Sequence, residues 1–245
     1  MSTKLATPPP QVAPAPVLSP TLVVLLAISV LGMLAAPFLI LRAPTEPTMG
    51  FVQRIFYFHV PCAWLAMLGA FVCGGASAVY LFGKSEEQRE RARRLAVAAA
   101  ELTVVFGLCV IISGPLWARK AWGKWWEWDV RLTTTALLWT IFVAYLFAMR
   151  YGGPGGPRLA AGLALFGAAD VPMIYISVSF WRTIHPKTSV VPTLARGMRP
   201  AFYLSLITFT VLFFVLLEMR RRLEAARDEL RDVTLRAQDA DLIDD

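Results

Sequence analysis

Charge is scarce in this sequence. Of 245 residues, 17% are Asp, Glu, Lys or Arg, while 57% are hydrophobic. Soluble domains carry about 25% charged and about 45–50% apolar residues, so the composition argues against a water-soluble globule, and a mean hydropathy of +0.57 agrees. The three cysteines, Cys62, Cys73 and Cys109, lie in apolar runs without C-x-x-C spacing. They indicate neither a disulfide framework nor a thiolate zinc site and read as buried packing. G-x-x-x-x-G-K-S/T, G-x-S-x-G and H-E-x-x-H are all missing, so ATP-driven work, if any, belongs to another subunit. The period-2 alternation of a membrane barrel strand is missing too. The net charge of +7 reflects loops beside anionic lipid, and no nucleic-acid partner is expected.

What the chain does have is long apolar runs. Six of them, at about 21–41, 60–82, 97–117, 132–150, 158–180 and 201–219, match the roughly 20 residues one helix needs to cross a bilayer. The expected fold is an all-α integral membrane protein with six transmembrane helices in a domain spanning 21–219. A Pro-rich tail over 1–20 precedes it and a charged tail over 220–245 follows. No clean A-x-A site follows the first run, which reads as a retained helix rather than a signal peptide.

An even number of crossings places both termini on one side. Segments on that side hold 14 of the 24 Lys and Arg, which makes it the cytoplasmic side. The remaining basic residues, among them Arg119, Lys120, Lys124, Arg182 and Lys187, give the outer loops an unusual positive content that suits an anionic ligand. The stretch 83–96 reads as a charged, solvated loop, and 151–157 as a tight turn. Beyond the last crossing, Leu223, Ala226, Leu230, Val233 and Ala237 recur at a/d spacing. A solvated extension of the final helix is favoured there over a short coiled coil.

Only two histidines occur. His59 lies where the first outer loop enters the second crossing, and His185 lies just after the fifth. Six crossings put both on one membrane face, whichever face is outside. Two neutral imidazoles suffice for six-coordination of a porphyrin iron but make a poor zinc site. On the same face runs Trp122-Gly123-Lys124-Trp125-Trp126-Glu127-Trp128-Asp129, with four of the eight tryptophans inside seven residues. An interfacial aromatic belt would spread its tryptophans over several helix ends. Concentrated in one loop beside cations, they suit a large, flat, apolar ligand with acidic groups, and haem is such a ligand. Arg54, Arg119, Lys120 and Arg131 are each able to pair with a propionate or with lipid phosphate. Two acids lie within crossings. Glu101 is close enough to a helix end to snorkel, and Asp170, two residues before Pro172, is expected to bond a neighbouring helix or freed backbone.

At these residues the chain closely resembles the haem-handling proteins of bacterial cytochrome c maturation that share a "WWD" tryptophan segment, specifically the haem exporter protein C family. The match is carried by Arg54 to Pro61, by Ser113 to Thr134 and by Pro172 to Lys187. The larger members of that superfamily carry more helices and histidines. The resemblance implies that haem b is held as cargo at the periplasmic face of the bacterial inner membrane, with His59 and His185 as axial ligands. Trp122, Gly123, Trp125, Trp126, Trp128 and Asp129 then form the haem platform, and Arg54 and Arg131 are assigned here to the propionates. It also implies delivery to a membrane-anchored periplasmic haem chaperone, in association with ABC transporter ATPase and permease subunits and a small single-helix subunit. Such a protein is a haem delivery protein rather than a conventional enzyme. A transmembrane haem channel, a membrane redox subunit and a structural adaptor are the competing readings.

Overall fold

The computed structural model describes residues 19–47, 49–186 and 190–240. Most of the Pro-rich head, Lys187 and the last five residues lie outside them. The chain is an all-helical membrane protein with six helices long and apolar enough to span a bilayer. These are α1 (Pro20–Arg42), α2 (Phe56–Phe82), α3 (Glu86–Trp122), α4 (Val130–Tyr151), α5 (Gly156–Phe180) and α6 (Arg199–Asp239). Among the described residues there is no strand, only one isolated bridge between Glu46 and Gly50.

Local chemistry sets the boundaries. Ser19 caps α1 through its hydroxyl, and Pro20 follows at a position where no N–H is needed. Ser85 caps α3, followed by Glu86 and Glu87 at the positive end of the helix dipole. Residues 86–96, which hydropathy alone assigns to a loop, are therefore the first turns of α3. At the other end of α3, Gly123 takes a left-handed conformation (φ 76°) and donates to the Arg119 carbonyl, the usual glycine stop. α6 likewise continues about twenty residues past its apolar stretch.

The two polar extensions support each other. Arg93 Nη2 and Arg94 Nε meet Asp228 Oδ2 at 2.6 and 2.7 Å, so the first turns of α3 lie along the last part of α6. Glu101 is held by two hydrogen bonds from Arg220, a bidentate pair that replaces the snorkelling expected from sequence. Asp170 is buried, and its Oδ2 has no hydrogen-bond partner among the described residues; the expected bond to a neighbouring helix is not made at that oxygen.

α2 and α3 form the central pair; α4 and α5 pack on one side and α6 on the other, with α1 outermost against α6. Lipid tails are as apolar as leucine, so packing in a membrane depends on close approach through small residues. Ala66, Ala70 and Cys73 of α2 share one buried cluster with the Ala98–Ala100 stretch of α3, and Gly69 lies against Thr103 and Ala99, while Gly107 of α3 makes room for Trp139 of α4. α1 meets α6 through Ser29, Gly32 and Ala36, and a Cβ on Gly32 would collide with the Thr208 side chain. A second apolar cluster at one end of the bundle ties the first loop to α2, α3 and α6. Its centre is Phe56, stacked on Phe202 at 5.2 Å and edge-on to Trp117 at 6.1 Å.

Gly32→Val should therefore destabilise the protein by about 1–3 kcal/mol through overpacking against Thr208. Gly75→Val, where an added Cβ meets nothing within 4 Å, should leave stability within about 0.5 kcal/mol of the parent. Denaturation in detergent, followed by Trp fluorescence, compares the two.

Candidate functional site

His59 sits within the first turn and a half of α2, not in the loop before it, because a 3-10 turn over Phe51–Ile55 leads straight into the helix at Phe56. Its ring is buried, 6% exposed, edge-on to Trp117 at 5.8 Å. Nδ1 lies 2.8 Å from Ser113 Oγ, and that hydroxyl donates its only hydrogen to the Cys109 carbonyl at 2.6 Å. The serine oxygen must then accept, so Nδ1 carries the imidazole hydrogen and Nε2 keeps a bare lone pair.

His185 reaches the same tautomer by another route. Its Nδ1 is 2.8 Å from the Pro186 carbonyl, which only accepts, so here too the hydrogen is on Nδ1 and Nε2 is free. The two ring centroids stand 6.5 Å apart with planes inclined by 36°. Metal–nitrogen bonds of about 2 Å on either side of one ion would leave imidazole centroids roughly 6 Å apart. Among the described residues no group of three or more His, Cys, Asp or Glu is placed to hold a metal ion. The pair therefore suits a metal that brings its other ligands with it.

Asp129 positions His185. Its Oδ1 accepts from Leu132 N at 2.8 Å and caps α4, while Oδ2 accepts from the Thr183 hydroxyl at 2.6 Å and from Ile184 N at 3.2 Å. The Thr183 oxygen in turn accepts from His185 N at 3.0 Å. One carboxylate thus holds both the start of α4 and the loop after α5. Burial pushes the His185 imidazole down to about 3, helped by the nearby positive Arg131; the Pro186 carbonyl and the Asp129 carboxylate oppose the shift.

The two imidazoles line one narrow cleft, together with Trp122, Trp125, Trp126 and Arg131. Arg131 is anchored at 3.0 Å to the Ile174 carbonyl. The Trp126 indole nitrogen is buried without a hydrogen-bond partner among the described residues. A cationic residue and a residue with a spare N–H donor thus both line an otherwise largely apolar, aromatic cleft.

Not every sequence candidate converges here. Trp128 is 79% exposed and packs edge-on against Trp126. Gly123 serves as the stop of α3, and Lys124 is paired with Glu127. Asp129 supports the cleft from behind rather than lining it. Arg54 is turned away, stacked over Phe51 at 4.2 Å and bonded to the Leu41 carbonyl at 3.0 Å. Conversely, Ser113 and Thr183 hold the two histidines, and nothing in their local sequence marks them. The bonds they make span 54 positions each in the His59–Ser113 and Thr183–Asp129 pairs.

Comparison with known proteins agrees in pattern along nearly the whole chain. The family model described as Heme exporter protein C matches residues 1–238. The heme exporter protein C of Bradyrhizobium diazoefficiens is 33% identical over 232 residues, covering 89% of this chain and 87% of that protein. That of Escherichia coli K12 is 31% identical over 187 residues, covering 74% and 73%.

The geometry can be checked at Asp129 and at His185. Asp129→Asn keeps an oxygen for the α4 cap but turns an N–H₂ toward the Ile184 amide. Loss of charge-assisted bonds worth about 1.5–3 kcal/mol should raise hydrogen exchange at Ile184 and His185 by tenfold or more, with α4 exchange unchanged. Because the native His185 ring takes its proton only near 3 while an unfolded imidazole does so near 6.5, its neutral form persists through mild acid. The folded state loses stability as pH falls from about 6.5 toward 3. Ring NMR signals of His185 should show no titration between pH 5 and 8.

Proposed function

Since the chain belongs to the heme exporter protein C family, we propose that it holds haem b as cargo in the tryptophan-lined cleft and hands it on during c-type cytochrome assembly. The observation that carries this reading is the convergence of the chain's two histidines, each with Nε2 unprotonated, across an aromatic cleft. His59 and His185 are the axial ligands of the iron. Trp122, Trp125 and Trp126 pack the porphyrin face. Arg131 and the Trp126 indole N–H receive a propionate, which explains a buried donor that otherwise has no partner. Arg54 has no part in this arrangement. Gly123 and Asp129 contribute by shaping the segment, and Trp128, the most exposed of the four clustered indoles, is offered to a docking partner.

The site faces the periplasm across the bacterial inner membrane, with both termini cytoplasmic. The acceptor is a membrane-anchored haem chaperone. ABC transporter ATPase and permease subunits and a small single-helix subunit complete the assembly; the sequence holds no nucleotide-binding motif of its own. The residues act as a scaffold and supply no general base. His59 is fixed on a packed helix, whereas His185 is fixed by a short loop whose bonds run through Thr183 to Asp129. His185 is therefore the ligand that yields at handover, and the loop bonds set how readily it does so.

Absorption spectra of detergent-purified protein, co-expressed with its haem chaperone, test the reading. The parent should show low-spin haem. His59→Ala and His185→Ala should each lose haem or turn it high-spin, with chaperone haemylation falling in parallel. A parent that takes up no haem when haem and partner are abundant would overturn the proposal.

A further inference from the structure

A second, larger cavity is also lined by His185. It descends the groove between α5 and α6, with Val60, Trp64 and Met67 of α2 as its floor and Tyr175, Phe202 and Leu206 on its sides. α5 and α6 both pack on α2 but not along one another, which leaves the groove open on the flank of the bundle. Trp64 and Tyr175, on two of the helices apolar enough to span a bilayer, are still 48% and 57% exposed there. The segment 190–195 roofs the groove. Ala63, Met67, Trp117, Arg131 and His185 line this groove and the tryptophan cleft alike, so the two cavities adjoin.

The chemistry of the groove indicates what it takes. Its walls are apolar and aromatic, which suits a molecule dissolved in lipid rather than one arriving through water. Its lining also includes the polar side chains of Glu46, Gln53 and Arg131. Arg131 stands at the junction, and the Gln53 amide nitrogen, with Gln53 only 3% exposed, has no hydrogen-bond partner among the described residues. A buried donor of this kind is costly to leave without an acceptor, and a carboxylate-bearing ligand would supply one. A flat, apolar molecule with carboxylates at one edge would find Gln53 and Arg131 in the same groove as His185.

We propose that haem reaches its site sideways, out of the membrane half on the histidine side, through this groove between α5 and α6. His185 forms the gate between groove and cleft. The proposal rests on the haem-holding reading above and adds the route of loading. The two openings then differ in role, since the lateral groove admits cargo and the tryptophan-lined mouth presents it.

The full chain is reconstituted in phosphatidylcholine vesicles, with haem supplied either dissolved in the bilayer or from an aqueous haem–albumin complex. The readout is the rate at which the low-spin haem band appears. Val60→Trp and Leu206→Trp narrow the groove without touching the tryptophan cleft. Each should slow loading from the bilayer by at least about tenfold, a barrier increase near 1.4 kcal/mol, while the final spectrum and the rate from albumin stay unchanged. Tyr175→Ala, which widens the mouth and removes only an exposed side chain, should speed loading from the bilayer and serves if a tryptophan variant fails to fold. Bilayer loading at parental rates in the folded variants would overturn the lateral route. So would a parent that loads faster from albumin than from the bilayer. Absence of low-spin haem in the parent from either source would instead refute the haem-holding reading itself.

Discussion

One carboxylate organises the end of the bundle where the histidines meet. Asp129 accepts three hydrogen bonds, one from the first turn of α4 and two from the loop that carries His185. Without it, α4 would begin with orphaned amides, and the stretch that carries His185 would lose the two bonds that tie it to the start of α4. A membrane helix cannot offer such a site in its middle, because unsatisfied polar groups are too costly in lipid. The polar bonds are therefore gathered at the end of the helices, where the tryptophan segment enters α4. What remains for the site is packing. Trp117 and Phe56 fix the top of α2, and Ser113 fixes the imidazole that α2 presents.

The same logic gives His59 and His185 different characters. Both keep Nε2 free, yet one is held by a hydroxyl in a rigid helix pair and the other by its own neighbour's carbonyl on a loop. Under the proposed function, a pair of imidazoles held with unequal stiffness suits a cargo that must be bound and then released. It also suits a site in which the softer of the two lines both adjoining openings. Arg131, shared by both openings and tied to α5 through the Ile174 carbonyl, marks where an acidic group would come to rest.

Much of the fold is legible in the sequence because a bilayer imposes a simple rule on composition and length. All six spanning helices announce themselves as apolar runs. Their polar ends do not. Residues 86–96 and the stretch of α6 beyond 219 have no hydropathy signal, and their helicity depends on the Ser85 cap and on ion pairs between positions more than a hundred residues apart, such as Arg93 with Asp228. The capping pattern is visible in the sequence; the pairing is not. Parity of the crossings is enough to put His59 and His185 on one face, and clustering is enough to single out the tryptophan segment. Spacing does not reveal that Trp122, Trp125 and Trp126 line the cleft while Trp128 does not, or that Arg54 stacks on Phe51. Ser113 and Thr183 escape notice because an isolated hydroxyl gains meaning only from what the fold brings beside it.

On the proposed reading, one iron is held between the Nε2 atoms of His59 and His185. Pulsed electron paramagnetic resonance on the ferric, haem-loaded protein, prepared with ¹⁵N-labelled histidine, tests that ligation most directly. The expected result is a low-spin signal modulated by two labelled imidazole nitrogens bound to the iron, with a second, remote nitrogen from each ring. A high-spin signal, or modulation from a single imidazole, would contradict it.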